Sequence, residues 1–198
     1  IIDTRSWDEF RKAHIPGSLS IPLMNSLSQF AGSFIKDSDD IYLIVEQSHL
    51  EEVIRVLIRS GLDRIQGWLD PHALQPICQN KSVSVSSNQL DASQAAQDLD
   101  HNSLAVLDVR RKTEFDLGHI PNAINIAHTR LASRMDEVPQ DKPLLINCHS
   151  GVRSAVTASH PQRAGYTVTN LQGGHLAWQQ HLKTINAKEH TQNAHETQ

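Results

Sequence analysis

The sequence predicts an α/β protein of two domains, each a parallel β-sheet with helices on both faces. Three observations predict it. The 198-residue chain contains one pattern twice, with Asp3, Arg5, Glu9, Phe10, His14, Ile15 and Pro16 matched at a constant spacing of 105 by Asp108, Arg110, Glu114, Phe115, His119, Ile120 and Pro121. Each copy alternates short apolar runs with helical stretches, the mark of parallel βαβ units covered on both faces. After each second apolar run comes a helix-length segment that stops at glycine.

In chain order, "IIDTR" (1–5) opens the first copy as a strand. A short polar segment containing Glu-Phe follows, then a turn at His-Ile-Pro, a second strand "IYLIV" (41–45) and a helix over 49–61. The stretch "DPHALQPICQNKSVSVSSNQ" (70–89) carries two prolines and little periodicity, so it reads as a linker with the boundary near residue 80. The second copy is preceded by a helix candidate over 86–99, capped by Ser87 or Asn88. It then repeats the order with "AVLDV" (105–109), His119-Ile120-Pro121, the strand "PLLIN" (143–147) and a helix over 150–165. Pro161 lies inside that helix and predicts a kink or early break. The domains are therefore 1–80, 81–186 and a polar tail over 187–198 that is expected to be disordered. The first copy begins abruptly at its strand, with no leading helix like that of the second, which suggests a segment of a longer chain.

Composition removes several functional classes. A net charge of −4 leaves no electrostatic footprint for nucleic acid. No apolar run is long enough to span a bilayer, and no secretory leader opens the chain. Two cysteines, Cys78 and Cys148, cannot build a disulfide framework, and such sparse usage fits a reducing, cytoplasmic setting. The 12 histidines fall into no ligand spacing, so neither a metal nor another cofactor is expected.

The chemistry concentrates in "NCHSGVRSA" (147–155). Cys148 sits at the end of a strand, and the helix beginning near Val152 or Arg153 turns its unpaired N–H groups toward the loop. Gly151 lets successive amides converge into an anion nest that favours a thiolate. Arg153 adds a fixed charge with a bidentate fork, and Ser154 can cap or donate at the helix start. His149 faces off the loop. Cys78 has no arginine, glycine or helix start after it and reads as structural.

The segments "VLDVRRKTEF", "GHIPNAINIA", "CHSGVRS" and "NLQGGHLAW" resemble, in order and spacing, the rhodanese (thiosulfate sulfurtransferase) family over essentially all of 83–183. The resemblance implies two rhodanese-like domains. It also implies that Cys148 takes sulfane sulfur from thiosulfate or another persulfide donor, becomes a persulfide, and passes the sulfur to a thiol or cyanide. The amides of His149, Ser150, Gly151, Val152, Arg153 and Ser154, together with the Arg153 guanidinium, would hold the persulfide and the leaving anion, with Asp108 and Arg110 as structural support. Cysteine phosphatases of related fold carry a longer C-x5-R loop; here only four residues separate Cys148 from Arg153, too tight for a phosphate ester.

In the first copy Glu46 is expected where Cys148 aligns and Glu51 where Arg153 does, so that copy resembles an inactive rhodanese module. Silent-then-active tandems of this kind suggest an upstream metallo-β-lactamase-fold persulfide dioxygenase domain as a covalent partner. A second reading stands beside catalysis: a non-catalytic module that docks a larger sulfur-metabolism enzyme or senses reactive sulfur through Cys148. A phosphatase is third.

Overall fold

The computed structural model describes the backbone of residues 1–196 and the side chains of residues 1–187. The first copy comprises β1 (Ile2–Asp3), α1 (Trp7–Lys12), β2 (Leu19–Ser20), α2 (Leu27–Phe34), β3 (Ile41–Ile44), α3 (Leu50–Arg59), β4 (Ile65–Leu69) and α4 (Pro71–Gln79). The second comprises β5 (Asn88–Leu90), α5 (Ala92–Asp100), β6 (Ala105–Asp108), α6 (Lys112–Asp116), β7 (Ile124–Asn125), α7 (His128–Leu131), β8 (Leu144–Asn147), α8 (Val152–Arg163), β9 (Val168–Leu171) and α9 (Gly174–Glu196). Both sheets are wholly parallel, in the orders β2-β1-β3-β4 and β5-β9-β8-β6-β7. The two orders superpose strand for strand except for β5, which has no counterpart in the first sheet.

Local chemistry sets the helix starts. Ser6 and Glu9 form a reciprocal capping box on α1, and Asp91 and Gln94 do the same on α5. On α6 the Glu114 carboxylate accepts the N–H of Arg111 at 3.1 Å. Apolar residues of β1, β2, β3, α2 and α3 form the first core, among them Ile2, Leu19, Phe30, Leu43, Val53 and Leu57. The second sheet has a core on each face, one including Leu107, Ile146 and Cys148 and the other including Val106, Leu145 and Trp178.

Several expectations need correction. The segment 86–99 is not one helix: Asn88–Leu90 forms an edge strand, and α5 begins only after Asp91, which is the cap in place of Ser87 or Asn88. The stretch 70–89 is not all linker, because Asp70 accepts the His72 N–H and Pro71 stands at the first turn of α4, where a missing N–H costs nothing. Cys78 therefore lies on a helix, its thiol donating to the Ala13 carbonyl at 3.4 Å. At Pro161, α8 is not cut short: only two residues of the helix follow it, so the first turn is untouched. The backbone of α9 runs on through Ala187 to Glu196. Residues 197–198 lie outside the described residues.

The two copies are joined through α8. Seven of its residues are buried, and all seven are alanine, serine, threonine, valine or proline: an unbroken run of six from Ser154 to Ser159, and Pro161. Small side chains on all sides let α8 pack against β8 and β9 of its own sheet while approaching β2 of the other copy. Val156 enters the first copy's core, and the Ser20 N–H donates to Ser159 Oγ at 3.0 Å. Phe30 and Phe34 of α2 meet the rings of His128 and His160, with centroids 5.2 and 4.9 Å apart. Trp7 Nε1 donates to Gln89 Oε1 at 2.7 Å across the seam. The helix that carries the loop chemistry is thus held by both copies.

Candidate active site

Strand register fixes what each copy places at the loop. Asp108 pairs with Asn147 in the second sheet and Asp3 with Ile44 in the first. Cys148, the next residue, therefore corresponds to Val45 and not to Glu46, and Arg153 corresponds to Leu50 and not to Glu51. Both sequence assignments are one residue off: between these strands the second copy is two residues shorter than the first, whereas placing Glu46 opposite Cys148 requires three. Where the second copy has its thiol the first accordingly has a buried isopropyl group, since Val45 is fully buried.

The base of the site is a buried ion pair. Arg110 donates through Nε to Asp108 Oδ1 and Oδ2 at 3.0 and 2.9 Å and through Nη2 to Oδ2 at 2.6 Å. Its fork also reaches the carbonyls of Glu114 and Gly118 at 3.2 and 2.8 Å. Asn147 Nδ2 adds a bond to Asp108 Oδ2 at 3.1 Å, and Asn125 bridges the carbonyls of Asp108 and Arg110. These contacts pin the ends of β6, β7 and β8 to α6, so the residue after Asn147 has a fixed origin. The first copy keeps the same device, with Arg5 on Asp3 at 2.6 Å and on the Ala13 carbonyl at 3.0 Å. A feature present with or without the thiol is a part of the frame.

Cys148 is completely buried. Its Sγ receives the Gly151 N–H at 3.2 Å and the Ser154 hydroxyl at 3.4 Å. Gly151 caps α8 at φ 91°, which turns its amide back over the strand end. The opposite edge of the loop is held from outside: the first amides of α9, those of His175 and Leu176, donate to the carbonyls of Cys148 and His149 at 2.7 and 3.1 Å. Drawing these carbonyls toward α9 leaves the facing side of the loop for N–H groups. Gly174 permits that approach, at φ 58° and with an added Cβ only 2.5 Å from the Cys148 carbonyl oxygen.

Of the expected ring from His149 to Ser154, then, the structure brings Gly151 and Ser154 to the sulfur. His149 and Ser150 are exposed, and Val152 is 52% exposed on the loop's outer face. Arg153 is not turned to the thiol. Its Nη1 and Nη2 donate to the two oxygens of Glu114 at 2.8 and 2.6 Å. The Arg153 guanidinium holds the Glu114 carboxyl down at about 2, and Glu114 in turn raises the guanidinium above its ordinary value. Glu114, Gly173-Gly174 and Asn147 are site residues that sequence reasoning left without a role. The signals were present: Glu114 is one of the repeated positions, and Gly173-Gly174 stands in the last motif.

A cleft of about 420 Å³ runs between the copies on the outer side of the loop. Ser150, Gly151 and Val152 line one wall, and Trp7, Pro22 and Met24 of the first copy line the other. Among the described residues no cluster of three or more histidine, cysteine or acidic side chains could hold a metal ion, and no helix is long and apolar enough to cross a membrane.

The rhodanese-like domain matches twice, over residues 1–75 and 91–181. A sulfurtransferase of Allochromatium vinosum is 35% identical over 104 residues, covering 52% of this chain and 97% of that protein. The thiosulfate sulfurtransferase GlpE of Shewanella oneidensis is 31% identical over 94 residues, covering 47% of this chain and 93% of that protein. Among solved structures, a rhodanese-related protein from Thermoplasma volcanium aligns with 26% identity and a TM-score of 0.45, over 48% of this chain and 92% of that one. With two matches that together span most of its length, the chain belongs to the rhodanese family and carries two rhodanese-like domains in tandem.

Proposed function

We propose that the second domain is a sulfurtransferase working through a persulfide on Cys148. In the first half-reaction the thiolate attacks the outer sulfur of a donor. A Cys148 S–S bond forms, the donor's S–S bond breaks, and its electron pair leaves on sulfite if the donor is thiosulfate or on a thiolate if it is an organic persulfide. In the second, an acceptor thiolate or cyanide attacks the outer sulfur of the Cys148 persulfide, and the pair returns to Cys148. The Gly151 N–H and Ser154 O–H bear on sulfur in both ionised states.

The observation that carries this reading is the pair of donors on Sγ, set by a loop whose outer carbonyls are tied to α9. It is supported by the sulfurtransferases among the relatives. Donor and acceptor would enter by the cleft beside Ser150–Val152, and the buried sulfur requires that short segment to shift as they arrive. The test is a single-turnover transfer of thiosulfate or persulfide sulfur to cyanide and to a small thiol. Transfer lost in Cys148→Ser and kept in Cys78→Ser is the expected result; equal transfer in both variants contradicts it.

The burial of Cys148 favours one other reading, in which the domain takes up sulfur without turning over and serves as a docking or reactive-sulfur-sensing module. A persulfide on Cys148 that forms but passes to neither acceptor would establish that reading instead.

A further inference from the structure

Arg153 is the fixed positive charge of the catalytic loop, yet both of its terminal nitrogens are committed to the Glu114 carboxylate. We infer that Glu114 is a specificity-determining residue that holds the guanidinium fork closed to dianionic sulfur donors and so favours uncharged hydropersulfides, RSSH, over thiosulfate. The inference rests on the sulfur-transfer role of Cys148.

Helix capping does not require a charge at this position. Glu114 Oε2 accepts the Arg111 N–H, but the amide of Gln94 performs the same task on α5. In the silent copy Glu9 caps α1 through Ser6, and Leu50 stands where Arg153 would be, so no guanidinium is held there. What distinguishes Glu114 is therefore its bidentate grip on Arg153. Two oxygens at 2.6 and 2.8 Å occupy the same fork that would clasp two oxygens of a sulfonate. A thiosulfate dianion must displace that carboxylate and then lie beside it. A hydropersulfide needs no such displacement: Cys148 attacks its outer sulfur, the RS–SH bond breaks, and the pair leaves on RS⁻, which takes a proton from water.

The test is the ratio of kcat/KM for thiosulfate to kcat/KM for an alkyl hydropersulfide, in wild type and in Glu114→Gln. Glutamine keeps the cap and releases the fork. The ratio is expected to rise about fivefold, the competition exerted by one partly exposed ion pair, mainly through a lower KM for thiosulfate. The gain should vanish in Arg153→Gln. A ratio that does not move, or a loss shared equally by both donors, overturns the inference and leaves Glu114 a structural brace. In the wild type, sulfate should inhibit no better than chloride at matched ionic strength; competitive inhibition at submillimolar sulfate would equally overturn it. A wild type that takes sulfur from neither donor overturns the Cys148 reading, and the selector with it.

Discussion

Gly174→Ala strikes the contact that shapes the loop while leaving the thiol and both of its donors in the sequence. The new Cβ would stand 2.5 Å from the Cys148 carbonyl oxygen, 2.7 Å from the Gly151 nitrogen and 2.9 Å from the His149 carbonyl carbon. All three are backbone atoms, so no side chain can swing away. An alanine at φ 58° costs about 1–2 kcal/mol in conformation, and forcing the loop from α9 adds about 1–3 kcal/mol of overpacking. For a chain of this size the sum lowers Tm by roughly 10 °C. Relief of the clash must lengthen the His175-to-Cys148 hydrogen bond and displace the Gly151 amide, so persulfide formation is expected to slow by about two orders of magnitude, as when a preorganised donor is removed. Gly165→Ala is the control: its φ is 91° and nothing lies within 4 Å of an added Cβ, so it carries the conformational cost alone. Stopped-flow sulfur loading and thermal unfolding of both variants decide the matter. Equal loading rates in Gly174→Ala and Gly165→Ala would refute the claim that the α9 contact organises the loop.

Val45→Cys puts a thiol at the silent copy's equivalent of Cys148, but Ser48 stands where Gly151 would and the loop there is a 3-10 turn over Gln47–His49, so intact mass after donor exposure should show no sulfur on the new cysteine. Asp108→Asn leaves Arg110 buried without its counter-charge and is expected to cost about 3–5 kcal/mol in denaturant unfolding; a cost below 1 kcal/mol would show that the pair does not fix the strand ends. Glu114 has its folded value lowered from 4.5 to about 2, so it contributes stability that is present above pH 4.5 and lost as the pH falls toward 2. With solvent screening of a partly exposed pair, wild type should lose about 1–2 kcal/mol more than Glu114→Gln across that window, read from urea unfolding at each pH.

The tandem frame was legible because the repeated Asp, Arg, Phe and His residues have the same physical task in both copies. Phe10 on His14 and Phe115 on His119 stack identically, with centroids 3.8 Å apart in each pair. The loop was legible because Cys148, Gly151 and Ser154 are local to one another. What escaped the sequence was mostly non-local. Glu114 and Arg153 are 39 residues apart, and only the fold brings α6 against the start of α8. The edge strand Asn88–Leu90 owes its form to pairing with β9 and has no alternation of its own to announce it. The slip at Val45 came from judging strand ends by composition: "IYLIV" and "PLLIN" look aligned at their last residues, whereas pairing with β1 and β6 sets them one residue apart, and a slip of one reverses which side chain meets the core.

We propose that one sulfur atom, held by the Gly151 amide and the Ser154 hydroxyl, is the group that accepts sulfur. Intact-mass and peptide analysis after exposure to a hydropersulfide or thiosulfate tests it most directly. A gain of about 32 Da confined to the peptide containing Cys148 and absent from Cys148→Ser is predicted, as for a nucleophilic thiolate; an unmodified Cys148 peptide, or the same gain on Cys78, would contradict it.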